Sequence, residues 1–253
     1  MRTKLTYESS NGKEIFVPFQ YNYLLQSLIY NTFSPILAKK LHDEGFAYEG
    51  RKFKLFTFSR ILGKGIKDNN KLAFKNGISF YFSSPKNEIV EDLASEGIQK
   101  MAFRLLGQEI FLSEIEILKE PVLKPKLLIK MLSPLTIYST LKTEDGRKKV
   151  YYYRPNDKDF SNLIEQNAIK KYYVVYGEAQ ETLSLSIKPY RFSVKENLSV
   201  IVFRGTPIEA YTGIFELSGT EKLVKTVYDT GLGGKNSGGM GMWEIWKGGE
   251  KNA

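Results

Sequence analysis

Residues Arg2 to Tyr7 alternate between two faces, the two-residue period of a half-buried strand, and Ser10-Asn11-Gly12 turns the chain into a second extended piece, Glu14 to Val17. The period then changes. Tyr21, Leu24, Leu25, Leu28 and Ile29 recur at helical spacing, which predicts a helix from Phe19. Pro35 removes a backbone donor and clashes with the preceding turn, while Ser34 is a good N-cap and proline is tolerated at a first helical position. Two helices follow, Phe19 to Thr32 and Pro35 to Glu44, with Gly45 ending the second. Phe53 to Arg60 and Gly77 to Ser83, rich in aromatic and β-branched residues, read as strands joined by the basic stretch GKGIKDNNK. A helical stripe of Ile89, Leu93, Ile98, Met101 and Leu105 leads to an alternating strand, Gln108 to Leu118.

Two prolines in five residues, Pro121 and Pro125, mark a linker. Beyond it, the pattern predicts a strand Leu127 to Ile137 with Pro134 at an end or bulge, an extended piece Lys149 to Tyr153, and a helix Phe160 to Tyr172. Thr182 to Ser193 and Ser199 to Thr206 read as extended, and Glu209 to Leu217 as extended too, in part a continuation of these. Leu223, Val224, Val227 and Tyr228 then line a helix Thr220 to Asp229, with Ser218-Gly-Thr-Glu221 matching a capping box, and Met242 to Lys247 is the last strand. Each half thus reads strand-helix-strand-strand-helix-strand. The expected fold is α+β, tandem ferredoxin-like (RRM-like) βαββαβ domains over residues 1–121 and 122–253.

Composition narrows the chemistry. A chain of 253 residues with 42% hydrophobic and 26% charged residues is that of an ordinary globular protein, and no apolar run suits a membrane span or signal peptide, so a cytoplasmic protein without membrane association is expected. With no cysteine and one histidine, His42, thiolate chemistry, thiolate zinc sites and multi-histidine metal sites are excluded. The net charge of +9 suits a polyanionic partner and equally a solvated basic surface.

GLGGKNSGGMGMW, Gly231 to Trp243, is the most unusual stretch. It is not a Walker A loop, because Lys235 falls between the glycines, and not a Rossmann fingerprint, because it follows a helix and opens a strand. A structural turn and a backbone cradle for a nucleic-acid strand remain, and Lys235, Asn236 and Ser237 at its tip favour the cradle.

This stretch, between a helix and a final strand, resembles the C-terminal glycine-rich signature of the CRISPR-associated repeat-processing endoribonucleases of the repeat-associated mysterious protein superfamily. LLQSLIYN at Leu24 to Asn31, KLHDEG, FKLFTFS, and KMLSPLTI at Lys130 to Ile137 are similar to other parts of that family. The resemblance implies a nuclease that cuts precursor CRISPR RNA within each repeat, without metal or cofactor, by attack of the RNA's 2′-hydroxyl on the adjacent phosphate. It implies Tyr30, His42 and Lys54 as catalytic residues, with Lys52 a competitor for Lys54. The residue chemistry agrees: histidine titrates near neutrality, a tyrosine shares or orients a proton, and a lysine stabilises developing charge. Against these roles stand structural ones: a histidine complementing a helix dipole, a core tyrosine, and a strand-end lysine. On one straight helix, Tyr30 and His42 would lie about 18 Å apart, so the break at Pro35 must bring them together.

RNA contacts are expected at Gly233, Gly234, Lys235, Asn236, Ser237 and Gly239 of the loop. Further contacts are expected at Arg147, Lys148 and Lys149 in RKKVYYYRP, where cations interleave with tyrosines, with Lys188, Arg191 and Arg204 as secondary candidates. The resemblance implies repeat RNA as partner and leaves open a CRISPR effector complex and a monomer or homodimer. One alternative is a noncatalytic RNA-binding subunit, which has no need of His42; the other is a metal-dependent nuclease or cyclase on the same fold, against which no Asp-Asp pair or acidic trio stands at a strand end, and Glu114 and Glu116, which share a strand face, read as exposed.

Overall fold

The computed structural model describes residues 1–142, 145–177 and 182–248; the end of the expected second domain, residues 249–253, lies outside them. In chain order the first half builds β1 (Arg2–Ser9), α1 (Asn22–Thr32), α2 (Pro35–Lys39), β2 (Thr57–Phe58), β3 (Ile78–Ser83), α3 (Asn87–Gln99) and β4 (Gln108–Ile117). They form an antiparallel sheet in the order β2-β3-β1-β4, extended by a short edge strand, Phe103–Leu105. The alternation seen in the sequence explains the layering: Leu5 and Tyr7 of β1 and Phe80 and Phe82 of β3 are buried against Leu25, Leu28 and Ile29 of α1 and Ile89, Val90 and Leu93 of α3.

The second half continues with β5 (Lys126–Met131), β6 (Tyr138–Lys142), β7 (Lys148–Tyr152), α4 (Phe160–Tyr176), β8 (Leu185–Tyr190), β9 (Leu198–Phe203), β10 (Thr206–Tyr211), β11 (Ile214–Gly219), α5 (Glu221–Thr230) and β12 (Trp243–Ile245). Its sheet runs β8-β11-β5-β12, the same relative order of second, third, first and fourth strands as in the first half. Both sheets therefore have the ferredoxin-like arrangement, in tandem. The hairpins β6-β7 and β9-β10 are additions to it. Residues 118–125 between the halves carry no regular element. Among the described residues no helix is long and apolar enough to cross a membrane.

Several expected boundaries moved for identifiable reasons. Phe53 to Arg60 is not one strand: Leu55 has φ of 55°, and Leu55 and Phe56 are both buried, which an unbroken strand with alternating faces does not allow. Only Thr57–Phe58 joins the main sheet, while Arg51–Phe53 pairs with Phe46–Tyr48. The strand from Leu127 stops at Met131, before Pro134, and Leu135 makes only an isolated bridge to Tyr211. Glu209 to Leu217 breaks at Gly213, so its first part belongs to the β9-β10 hairpin and its second to the main sheet. The capping box is absent: Ser218 lies inside β11, and Thr220 is the N-cap without a side-chain bond. The first helix starts at Asn22 rather than Phe19, because the chain before it, Ile15–Pro18, pairs with Lys71–Phe74.

Candidate active site

The break after α1 is fixed from several sides. Phe33 adopts an extended conformation, the Ser34 hydroxyl accepts the Leu37 N–H at 3.3 Å, and the Ser34 N–H donates to Asp92 of α3 at 2.9 Å. The Lys100 ammonium donates to the carbonyls of Asn31, Thr32 and Phe33, covering the open C-terminal end of α1. After α2 the chain widens into one π-type turn, Lys40–Glu44, closed by the Gly45 N–H on the Lys40 carbonyl at 2.8 Å. Gly45 has φ of 61°, and a Cβ there would meet the Phe53 carbonyl at 2.8 Å and the Lys54 side chain at 3.3 Å. A glycine at this point lets the chain at Phe53 and Lys54 lie directly against the turn carrying His42.

The Tyr30 and His42 rings end up edge to face, with centroids 6.1 Å apart, in the wall of one cavity of about 360 Å³. His42 is 65% exposed, and its Nδ1 lies 2.8 Å from Asp43 Oδ1. Accepting that hydrogen bond holds the Asp43 carboxyl below its usual range. A carboxylate accepts, so Nδ1 carries the hydrogen and a neutral imidazole presents Nε2 as an acceptor. Burial pushes the Tyr30 phenol up to about 12, so it stays protonated at neutral pH.

Lys54 Nζ donates to the His42 carbonyl at 2.6 Å and Lys52 Nζ to the Asp43 carbonyl at 2.8 Å, so both lysines brace the backbone of the histidine turn. Burial, and secondarily the neighbouring Lys52 charge, lower the Lys54 pKa. Lys54 and Lys52 line a second, larger cleft of about 670 Å³ between the two halves. Five cations, Arg51, Lys52, Lys54, Lys171 and Lys235, line that cleft, and no carboxylate does among the described residues.

The glycine loop forms the other wall. Gly233, Gly234, Lys235, Asn236 and Ser237 all line the cleft, with Lys235 over the Tyr138 ring at 4.6 Å. Asn236 turns its amide inward, donating to the Leu232 and Met240 carbonyls at 2.9 and 3.0 Å, and so ties the loop together. The loop also docks on the first half: Asn22 Nδ2 donates to the Gly238 and Gly239 carbonyls, Gln26 to Ser237 O, and Thr57 Oγ1 to Met240 O, all at 2.7–3.1 Å. Gly239, with φ of 76°, is required by this contact, because a Cβ would come within 2.4 Å of the Phe58 ring and 2.8 Å of the Asn22 amide.

Of the remaining sequence candidates, Arg204 lines the Tyr30–His42 cavity, and the others lie apart from both cavities. Arg147, Lys148 and Lys149 are exposed at and beside the β6-β7 turn, with Arg147 paired to Asp145. Lys188 is exposed opposite Glu216 on β8, and Arg191, with φ of 47°, lies over the Tyr190 ring at 5.3 Å. Glu114 and Glu116 flank Lys4 at 3.5 and 3.7 Å.

Sequence reading missed Lys171 and Asn167. Both are buried on α4, and Lys171 Nζ donates to the Gly231 and Gly233 carbonyls at 2.8 and 2.7 Å. Burial lowers its pKa to about 7. The signal was present: Asn167 and Lys171 are four apart and fall on the helical stripe of Phe160, Ile164 and Ala168, where only apolar residues are expected.

Comparison with known proteins agrees with this architecture. Residues 16–116 match the family model for the N-terminal part of CRISPR-associated protein Cas6, and residues 118–245 match that for its C-terminal part. A Methanocaldococcus jannaschii protein named CRISPR-associated endoribonuclease Cas6 1 is 31% identical over 251 residues, covering 96% of this chain and 91% of that one. A Pyrococcus furiosus CRISPR-associated endoribonuclease Cas6 is 32% identical over 241 residues, covering 90% and 83%. A solved CRISPR-associated protein Cas6 superposes with a TM-score of 0.79 at 28% identity, covering 98% and 99% of the two chains. A Cas6-related protein from Pyrococcus furiosus shares the fold at a TM-score of 0.82 and 23% identity. With both halves matched in order and relatives aligned over nearly its full length, the chain belongs to the CRISPR-associated Cas6 family of endoribonucleases.

Proposed function

We propose that this protein cleaves CRISPR repeat RNA within precursor transcripts, leaving a 2′,3′-cyclic phosphate and a 5′-hydroxyl. The observation that carries this reading is the break at Ser34-Pro35, which puts the Tyr30 phenol and the sole histidine in one open cavity beside a cationic cleft. In the reaction the 2′-oxygen bonds to phosphorus as the phosphorus–5′-oxygen bond breaks, one proton leaving the 2′-oxygen and one arriving at the 5′-oxygen. At neutral pH His42 carries the proton at Nε2, on a ring that stays open to the cavity. Tyr30, protonated throughout this range, orients the reacting hydroxyl by hydrogen bonding. Lys54, braced on the His42 carbonyl, holds positive charge in the neighbouring cleft. The cleft, with Lys235 and the glycine-loop backbone, holds the RNA strand.

Incubation of repeat RNA with the full chain in EDTA tests this. Cleavage with cyclic-phosphate ends is expected, and His42→Ala should slow it by about 10²–10⁴-fold. No cleavage by wild type, undiminished cleavage by His42→Ala, or a Mg²⁺ requirement with a 3′-hydroxyl product would each overturn it.

A further inference from the structure

The cavity that holds Tyr30 and His42 is not closed by the first half alone. Its lining includes Arg204, from the turn between β9 and β10 of the second half. Arg204 and Gly205 form that two-residue turn with φ of 49° and 77°, the positive pair that Asn-Gly fills most easily. An arginine in the left-handed region is strained relative to asparagine, and such outliers concentrate at functional sites.

The hairpin is clamped so that its tip reaches α1. Gln20 pairs with its edge, the Val202 N–H donating to Gln20 Oε1 at 2.9 Å and Gln20 Nε2 to Val200 O at 3.3 Å. The Phe203 ring meets Tyr23 of α1 edge-on at 5.7 Å, and the Arg204 guanidinium lies 4.7 Å from the same tyrosine ring. Its Nη2 donates to the Tyr23 hydroxyl at 3.5 Å. Stacking of this kind pre-orients a guanidinium while leaving donors open. Lys54, by contrast, opens into the other cleft and has its ammonium on a backbone carbonyl. The cations in the Tyr30–His42 cavity are Lys39 and Arg204, and only the guanidinium offers a fork matched to two phosphoryl oxygens.

We infer that Arg204 contacts the non-bridging oxygens of the scissile phosphate and stabilises the charge that builds on them, so that the active site is assembled from both halves of the chain. It takes no part in the bond changes or the proton transfer. This assignment rests on the transesterification proposed above.

Single-turnover cleavage of repeat RNA in EDTA, with Arg204→Asn and Arg204→Lys, separates the two claims. Asparagine suits the turn, so the hairpin is retained. Arg204→Asn should cleave about 100-fold more slowly at saturating protein, with affinity for a 2′-deoxy, uncleavable repeat changed less than about threefold, and Arg204→Lys should fall between. One sulfur-substituted diastereomer at the scissile phosphate should slow the wild type, and Arg204→Asn should lose much of that discrimination, which a purely structural role would not cause. Wild-type cleavage that Arg204→Asn matches within about threefold, or a defect explained entirely by lost affinity, removes this assignment and leaves the proposed function standing. Absence of wild-type cleavage removes both.

Discussion

The two cavities share Lys54's neighbourhood and differ in nearly everything else. The smaller one holds an exposed histidine on a turn fixed by contacts close in sequence: Tyr30, His42 and Lys54 are twelve residues apart in each step, and Lys54 donates to the His42 carbonyl. The larger one gathers cations from Arg51 to Lys235, and its far wall is a glycine loop docked on the opposite half through backbone carbonyls. Proton transfer needs a side chain within reach of the substrate, which an exposed ring offers. Holding a polyanion needs fixed positive charge, and a rigid, partly buried wall keeps it in place. In the proposed reaction, chemistry and grip therefore have opposite burial requirements, and the two cavities offer them in separate places.

Substitutions on either side test that separation. His42→Ala should give the largest effect, about 10²–10⁴-fold in cleavage rate, while the melting transition stays within about 0.5 kcal/mol because the ring is exposed. A comparable loss of stability would mean that the histidine turn is part of the packed core. Gly239→Val should do the reverse: its side chain collides with Phe58 and Asn22 at a positive φ, so urea denaturation should show a loss of about 3 kcal/mol or more. RNA affinity should fall with it, and unchanged affinity would remove the loop from the binding wall.

Lys171 supplies a pH dependence. Its folded pKa of about 7 lies below that of an unfolded lysine, so between those values the unfolded chain binds more protons and stability rises with pH. From pH 7 to 9 this group should add on the order of 2 kcal/mol, and a neutral amine still has two N–H donors for the Gly231 and Gly233 carbonyls. Lys171→Met should flatten that rise in parallel urea titrations; an unchanged slope would show that the ammonium is not the source. Asn236→Ala should cost about 1 kcal/mol through two lost loop hydrogen bonds, visible as a small shift in the urea midpoint.

Much of the fold was legible because its signals are local. The 3.6-residue stripes of α1, α3, α4 and α5 and the alternation of β1 and β4 gave the order of elements along each half. The proline break that separates α1 from α2 was visible in Ser34-Pro35 alone. The errors occurred where neighbours override periodicity. FKLFTFS has the aromatic and β-branched content of a strand, yet Leu55 and Phe56 both turn into the core. Ser218-Gly-Thr-Glu221 matches a cap, yet Ser218 is held by its strand partners.

Tyr30, His42 and Lys54 could be named from residue type and the family resemblance, and Lys235 from its place among glycines. What the glycines do was not legible. Gly239 lies against Phe58, a residue 181 positions earlier, and no window of sequence contains that pair. Lys171 was hidden likewise, because a lysine in a helical stripe becomes meaningful only when the carbonyls of a distant loop surround it.

The sequence by itself determined the element types, the tandem order, the basic charge, the single titratable histidine and the break that allows Tyr30 and His42 to meet. Only the tertiary structure decided that Lys54 opens into a different cavity from His42, that the glycine loop grips the opposite half, and that Arg204 of the second half lines the histidine's cavity. The reason is range: periodicity, capping and proline effects act within a few residues, whereas cavities form between elements far apart in the chain.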